Sequence, residues 1–428
     1  MKDNKIVLAL LILVSLSSCG TEVTSEPQEI NVLMAGLAQQ EERTFFRTFV
    51  RLFEAENGIR VNLQYESNDA VYASVEDQIS GEQIQTDVIM VDTANMLRYS
   101  RQHYVESLDF LNQFSDRTFT NLFDDYTHNQ NERFFAPVSF DIYLTLFNKQ
   151  ALPYMPSSVD VIRDEQNQIT QVDSITWQEI GQWAKNIKDE TDEARFGFPY
   201  GRVGSQLIYP ITGLASAMGS HSLPAFDDEG AFKAWEFLEL LYTQGAIRSD
   251  ASMGAYAHPT ELLNSESLWI SFAHMGPLGS VYKANPERYI LGPTPIDEVT
   301  KQAGSTAGAW GYGIVKDSPN LSNSKKWIEF ISDPEINYLY CSGLGGVISP
   351  LQEVRDFVAE SLVDKIMLIG LQMFSENSNI HVVDTTDFVL WNDVKLLYND
   401  LYEAMLLGES IDETRLNAYQ ASLDALRK

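Results

Sequence analysis

Cysteine is scarce: Cys19 and Cys341 are the only two in 428 residues. At most one internal disulfide could form, so the fold must rest on its core. Positive charge is also sparse, with 30 Lys and Arg against 60 Asp and Glu, a formal net charge of −30. That balance excludes the clustered cations that nucleic-acid phosphates demand and opposes electrostatic docking on anionic lipid. No apolar stretch approaches the roughly 18 residues a membrane-spanning helix needs. The six histidines (His103, His128, His221, His258, His274 and His381) never fall within five residues of one another, so a local zinc-ligand pair is missing. Also missing are G-x-S-x-G, H-E-x-x-H, a phosphate-binding G-x-x-x-x-G-K-[ST] and a strand-linked G-x-G-x-x-G. Nothing here implies a catalytic motif, a metal or a cofactor. What the chain does have is 44% hydrophobic and 11% aromatic residues, ample for a large core, and a length that implies two domains.

The amino terminus carries its own signal. Lys2 and Lys5 precede Ile6–Leu16, an eleven-residue run broken only by Ser15, too short to span hydrocarbon and suited to a secretory h-region. Leu16-Ser17-Ser18-Cys19-Gly20 resembles the bacterial lipobox. The resemblance implies a signal peptide over 1–18, lipidation of Cys19 and a flexible tether over 19–29, whose residues are polar. The expected location is extracytoplasmic, in the periplasm or at the cell surface, held to the bacterial membrane through lipid alone. Cys341, inside Tyr338-Leu339-Tyr340-Cys341, reads as a buried small hydrophobe.

Beyond the tether, strand and helix patterns alternate. Ile30–Met34 reads as a strand, and Glu41–Asn57 as a helix with Phe45, Phe46, Phe49, Val50, Leu52 and Phe53 on its apolar stripe. Gly58 ends it. Val61, Leu63 and Tyr65 alternate as in a strand, and Val88–Val91 reads as a parallel strand covered on both faces. The order is that of an α/β protein. Further apolar runs at Phe134–Val138 and Tyr143–Phe147 lead to a polar, strand-breaking segment over Pro153–Ser174. Helices are predicted around Trp177–Ile187, Asp228–Gln244, Lys325–Ile331 and Pro334–Tyr340, the last capped by Asp333. Asp227-Asp228-Glu229-Gly230 reads as a helix start rather than a calcium loop.

Five motifs in order carry a resemblance. They are Phe49-x-x-x-Phe53-Glu54-x-x-x-Gly58-Ile59-x-Val61, Thr86–Asp92, Ala136-Pro137-Val138-x-x-Asp141 through Lys149, Ala309–Ile314 with Lys316-x-Ser318, and Gly408–Glu413. With these the chain resembles the extracellular solute-binding proteins of carbohydrate ABC importers, the group that includes maltose-binding protein. The resemblance implies a two-lobe periplasmic-binding-protein fold, α/β, with discontinuous lobes joined by crossing hinge strands. The lobes would be 30–138 plus 311–345, and 139–310 plus 346–428. It further implies a monomeric, non-enzymatic receptor that closes over a sugar and delivers it to an ABC permease in the membrane.

Sugars stack their C–H faces on aromatic rings and offer hydroxyls to carboxylates and amides. By the resemblance, Trp310 is the expected platform at the return crossover, and Trp391 the stacking ring near the carboxyl end. Asp141 would be the hydroxyl-binding carboxylate after the first crossover. Asp92, at the end of an apolar strand, stands where α/β sheets collect ligands. Gln40, Glu41, Gln206 and Tyr209 are the remaining expected contacts. Trp269, within Leu268–Phe272, reads as core. Gly276-Pro277-Leu278 stands where many relatives have Gly-Pro-Trp, which removes one ring. Two other readings stay open: capture of another polar solute such as a polyol or osmolyte, and a surface glycoside hydrolase or polysaccharide-binding lipoprotein, since sixty carboxylates allow many chance pairs.

Overall fold

A computed structural model describes residues 28–427 apart from 37–39, 360, 362–363, 376–378, 386 and 389. The expected signal peptide and the lipidated Cys19 lie outside the described residues. In chain order the strands are β1 (Glu29–Met34), β2 (Arg60–Tyr65), β3 (Val88–Asp92), β4 (His128–Asn129), β5 (Glu132–Arg133), β6 (Ala136–Asp141), β7 (Tyr143–Asn148), β8 (Asp160–Arg163), β9 (Ile169–Ser174), β10 (Ile270–His274), β11 (Tyr289–Gly292), β12 (Gly304–Thr306), β13 (Gly308–Ile314) and β14 (Asn379–His381).

Two five-stranded sheets organise the chain, ordered β2-β1-β3-β13-β6 and β10-β7-β11-β9-β8. In the first, β1, β2 and β3 are parallel while β13 runs antiparallel to β3 and β6. Val88–Val91 is wholly buried, and its side chains part by alternation. Val88 and Met90 join the cluster holding Phe46, Phe53 and Trp327, while Ile89 and Val91 join the one holding Val71, Tyr72 and Tyr99. Helices cover both faces, as an apolar parallel strand requires.

Two single-residue steps join strands of different sheets. Only Ile142 separates β6 in the first sheet from β7 in the second, and only Ala307 separates β12, paired with β14, from β13. These two short crossings, at 141–143 and 306–308, lie side by side, because Gly308 pairs with Asp141 and the Tyr143 N–H donates to the Ser305 hydroxyl at 2.8 Å. A single residue between strands of different sheets leaves little freedom except rotation of one sheet against the other, the geometry of a hinge.

Local chemistry accounts for the elements. The Gln40–Asn57 helix buries Phe46, Phe49, Val50 and Phe53 against Trp327, Phe330 and Tyr340. Leu52, expected on that stripe, is 38% exposed, because the buried arc is narrower than the run of apolar residues. Gly58 follows at φ +65°, the left-handed stop that glycine tolerates. Asp228 and Asp333 accept hydrogen bonds from backbone N–H groups of the helices they precede. Trp177, Trp183 and Trp235 fill the core beside the second sheet, with Phe147 stacked on Trp183 at 4.7 Å. Trp269 is buried and Cys341 wholly so. One expectation fails: Pro153–Ser174 is not strand-breaking but holds the β8–β9 hairpin. Its edge strand β8 is only four residues long and largely exposed, with Val161 and Ile162 adjacent rather than alternating, so it carries no period-two signal.

Between the crossings, the Met275–Ala284 helix presses backbone to backbone on the segment after the Pro334–Gly343 helix. A Cβ on Gly279 would lie 1.9 Å from the Gly345 carbonyl oxygen, and Lys283 Nζ donates to the Ser342 carbonyl at 2.7 Å. Gly279→Ala is therefore expected to lower the thermal midpoint by the equivalent of about 2–3 kcal/mol, the usual cost of overpacking. An unchanged melting curve would show that the contact is slack.

Candidate functional site

Strand ends place the site. The carboxyl ends of β2 and β3 deliver Ser67-Asn68 and Asp92 to one edge of the first sheet, where open α/β sheets bind ligands. There a cavity of about 660 Å³ opens. One wall comes from Ser67, Asn68, Asp69, Tyr72 and the Thr93–Arg101 helix, the other from Thr385, Phe388, Leu390 and the first turns of the Trp391–Leu406 helix. That second helix packs on the Ile208–Ala217 and Glu229–Thr243 helices of the other half, so the cavity lies between the two halves.

Asp92 and Trp391 both line it. Asp92 ends β3 without capping the helix that follows. Its two carboxylate oxygens accept from the amides of Asn95 at 2.8 Å and Asn68 at 2.9 Å. Burial pushes its pKa up, while those amides and the Lys395 ammonium pull the other way. Each oxygen keeps a lone pair for another donor. Trp391 begins its helix and packs its ring 5.9 Å from that of Phe388. Lys395, one turn on, shares the cavity wall. An indole face opposite an amide-braced carboxylate suits a molecule with an apolar side and a ring of hydroxyls.

Trp310 and Asp141 come together elsewhere. They line an adjoining cavity of about 80 Å³ with Glu42, Ser139, Gly276, Pro277 and Tyr340. The two cavities are neighbours, because Trp310 pairs in register with Asp92. The Trp310 ring packs beside Gly36 and Met90, leaving 3.3 Å between its edge and a Cβ at Gly36. One Asp141 oxygen accepts the Gly276 N–H at the start of the Met275–Ala284 helix, at 3.2 Å. Burial pushes the Asp141 pKa up to about 7, the Gly276 N–H lowers it and the Glu42 charge adds to the rise. Leu278, in place of the relatives' Trp, is fully buried.

Gln206 and Tyr209 form a third group, linked to Trp391 by Tyr209. The Tyr209 hydroxyl accepts the Trp391 indole N–H at 3.1 Å. The Gln206 amide oxygen lies 3.3 Å from His274 Nε2, which is also 2.7 Å from the Tyr143 hydroxyl. Burial, with the charges of His258 and Lys395, pulls His274 down to about 3, so it is neutral at physiological pH. Gln40 is exposed at the start of its helix, and Glu41 follows it there; Gln40 is not among the residues lining the two cavities.

Sequence reasoning missed Asn68, Lys395, Tyr143 and His274. Asn68 stands just past a strand end, as Asp92 does, and Lys395 is four residues beyond Trp391 on one helix, so both carried a signal. Tyr143 and His274 meet only because β7 and β10 pair. Among the described residues no group of three or more His, Cys, Asp or Glu could hold a metal ion, and no helix is long and apolar enough to cross a membrane.

The bacterial extracellular solute-binding protein family matches residues 48–365, well over half of the chain. No curated protein matches it in sequence. Similar solved structures include the GacH receptor of Streptomyces glaucescens GLA.O, studied unliganded and with acarbose (TM-score 0.73, 14% identity, covering 94% of this chain and 99% of that one). Others are maltose-bound MalE3 of T. maritima (0.72, 15%, 93% and 99%) and an ABC transporter solute-binding protein of Thermotoga lettingae TMO bound with alpha-D-tagatose (0.71, 15%, 93% and 99%). At such identities the likeness is one of fold. Sequence and fold agree: the chain belongs to the bacterial extracellular solute-binding protein family and has its two-lobe α/β architecture, with discontinuous lobes and crossing hinge strands.

Proposed function

We propose that this protein is a lipid-anchored extracytoplasmic receptor that takes up a mono- or oligosaccharide between its lobes and presents it to an ABC permease. The observation that carries the reading is the 660 Å³ cavity whose walls hold the Trp391 ring and the Asp92 carboxylate. The ring supplies a stacking face and the carboxylate a hydroxyl acceptor, the two surfaces a sugar needs. The similar structures with acarbose, maltose and tagatose point the same way. In this reading residues 1–18 are removed, Cys19 carries the lipid and 19–29 form the tether. Residues 30–138 with 311–345 form one lobe and 139–310 with 346–428 the other. Closure about 141–143 and 306–308 wraps the solute, and the permease distinguishes the closed, loaded form from the open one by its differential fit. The solute leaves unchanged.

A thermal-shift panel of maltose, acarbose, D-tagatose and mannitol tests this. A sugar present at 100 times its Kd adds about 2.7 kcal/mol to stability and is recovered intact. A response to mannitol alone would move the reading to a polyol receptor, and appearance of a hydrolysis product would replace it with an enzyme.

A further inference from the structure

Tyr209 was expected to touch the solute, yet it is not among the residues lining the cavity while Trp391 is. An indole has one hydrogen-bond donor. That of Trp391 is spent on the Tyr209 hydroxyl at 3.1 Å, which ties the first turn of the Trp391–Leu406 helix to the first turn of the Ile208–Ala217 helix. Tyr209 is itself held on every side. Its carbonyl accepts from the Thr212 hydroxyl at 3.1 Å and the Thr306 hydroxyl at 3.4 Å. Its ring meets His274 edge-on, centroids 5.9 Å apart, and Lys395 Nζ lies 5.4 Å over the ring.

We propose that Tyr209 is a positioning residue that acts through Trp391, fixing the plane of the indole so that its face and not its N–H meets the solute. The support reaches back to the hinge. His274 Nε2 lies 2.7 Å from the hydroxyl of Tyr143, which ends the 141–143 crossing, and Thr306 stands at the other crossing. Tyr143, Tyr209, His274, Thr306 and Trp391 all fall within 139–310 plus 346–428, so the ring that receives the solute is braced from inside its own lobe, beside both crossing segments. A preset ring spares a bound sugar the cost of ordering it. The part concerning the solute rests on the function proposed above; the part concerning the tether does not.

The test therefore has two arms. In the solute-free protein labelled with ¹⁵N-tryptophan, Tyr209→Phe keeps the ring but deletes the acceptor. Of the seven indole signals, the one assigned to Trp391 by its loss in Trp391→Phe is expected to move upfield while the others stay. An unmoved signal overturns the tether. In the second arm, maltose affinity is measured in the wild type, Tyr209→Phe, Trp391→Phe and the double variant. Tyr209→Phe is expected to weaken binding about fivefold, the worth of one net hydrogen bond, in the wild type and not at all in the Trp391→Phe background. Equal loss in both backgrounds overturns the proposal, since Tyr209 would then act independently of Trp391. Absence of any maltose binding in the wild type counts against maltose as solute and leaves the first arm to decide the tether.

Discussion

Trp391→Ala is expected to weaken maltose binding at least thirtyfold by calorimetry, with little change in the melting curve of the unliganded protein. A large ring at the wall of a binding cavity is the kind of side chain whose truncation costs about 2 kcal/mol or more, because its whole stacking face is lost. The fold should tolerate the change, since Trp391 is half-buried at a helix start and its packing partner Phe388 is also held by the guanidinium of Arg427, 5.0 Å over its ring. Trp391→Phe keeps a smaller face and should lose less. An unaltered affinity in Trp391→Ala would remove the indole from the site and leave Trp310 as the platform. Trp310→Ala makes a useful comparison: its ring packs on Gly36 and Met90, so its loss should appear in stability first.

Asp141→Asn is expected to raise the thermal midpoint at pH 8 and leave it unchanged near pH 4. Asp141 has its pKa pushed from the ordinary 3.8 to about 7, chiefly by burial. A carboxyl shifted upward favours the fold while it carries its proton. Its contribution is fully present below about pH 4 and is lost as the pH rises through 7. At pH 8 the ionised group therefore costs the fold at most about 4 kcal/mol. Asparagine retains the acceptor that the Gly276 N–H requires but cannot ionise, so it removes that cost. The profile, measured from pH 4 to 9, should show wild type and variant converging in acid and separating in base. Parallel curves would mean that the carboxyl is solvated after all. The placement suits a hinge residue, since Asp141 ends the crossing strand β6 and braces the first turn of the Met275–Ala284 helix.

Much of the fold was legible in one dimension. The apolar run Val88–Val91 announced a strand covered on both faces, and Phe46, Phe49 and Phe53 marked the buried side of a helix that Gly58 closes. Asp228 and Asp333 marked helix starts because capping is a matter of a few adjacent residues. The β8–β9 hairpin escaped because its exposed edge strand β8 is only four residues long, with Val161 and Ile162 adjacent, which leaves none of the alternation by which strands are read. Of the expected contacts, Asp92 was placed by a local rule, the end of an apolar strand, and it lines the cavity. Gln206 and Tyr209 were drawn from an alignment; Tyr209 accepts the indole N–H and Gln206 lies against His274.

The sequence by itself determined the class of the protein, because composition, periodicity and ordered motifs are local quantities that survive without coordinates. It also determined that a core must stabilise the chain and that no apolar stretch could cross a membrane. Only the tertiary structure decided which aromatic ring shares a cavity with which carboxylate. Asp92 and Trp391 are about three hundred positions apart, and they are joined by the packing of helices from two halves of the molecule. Trp310, the platform the sequence favoured, and Asp141 were drawn into a smaller cavity by strand register. Pairing between distant strands and the crossing of two short segments set those distances, and neither is encoded in any window of neighbouring residues.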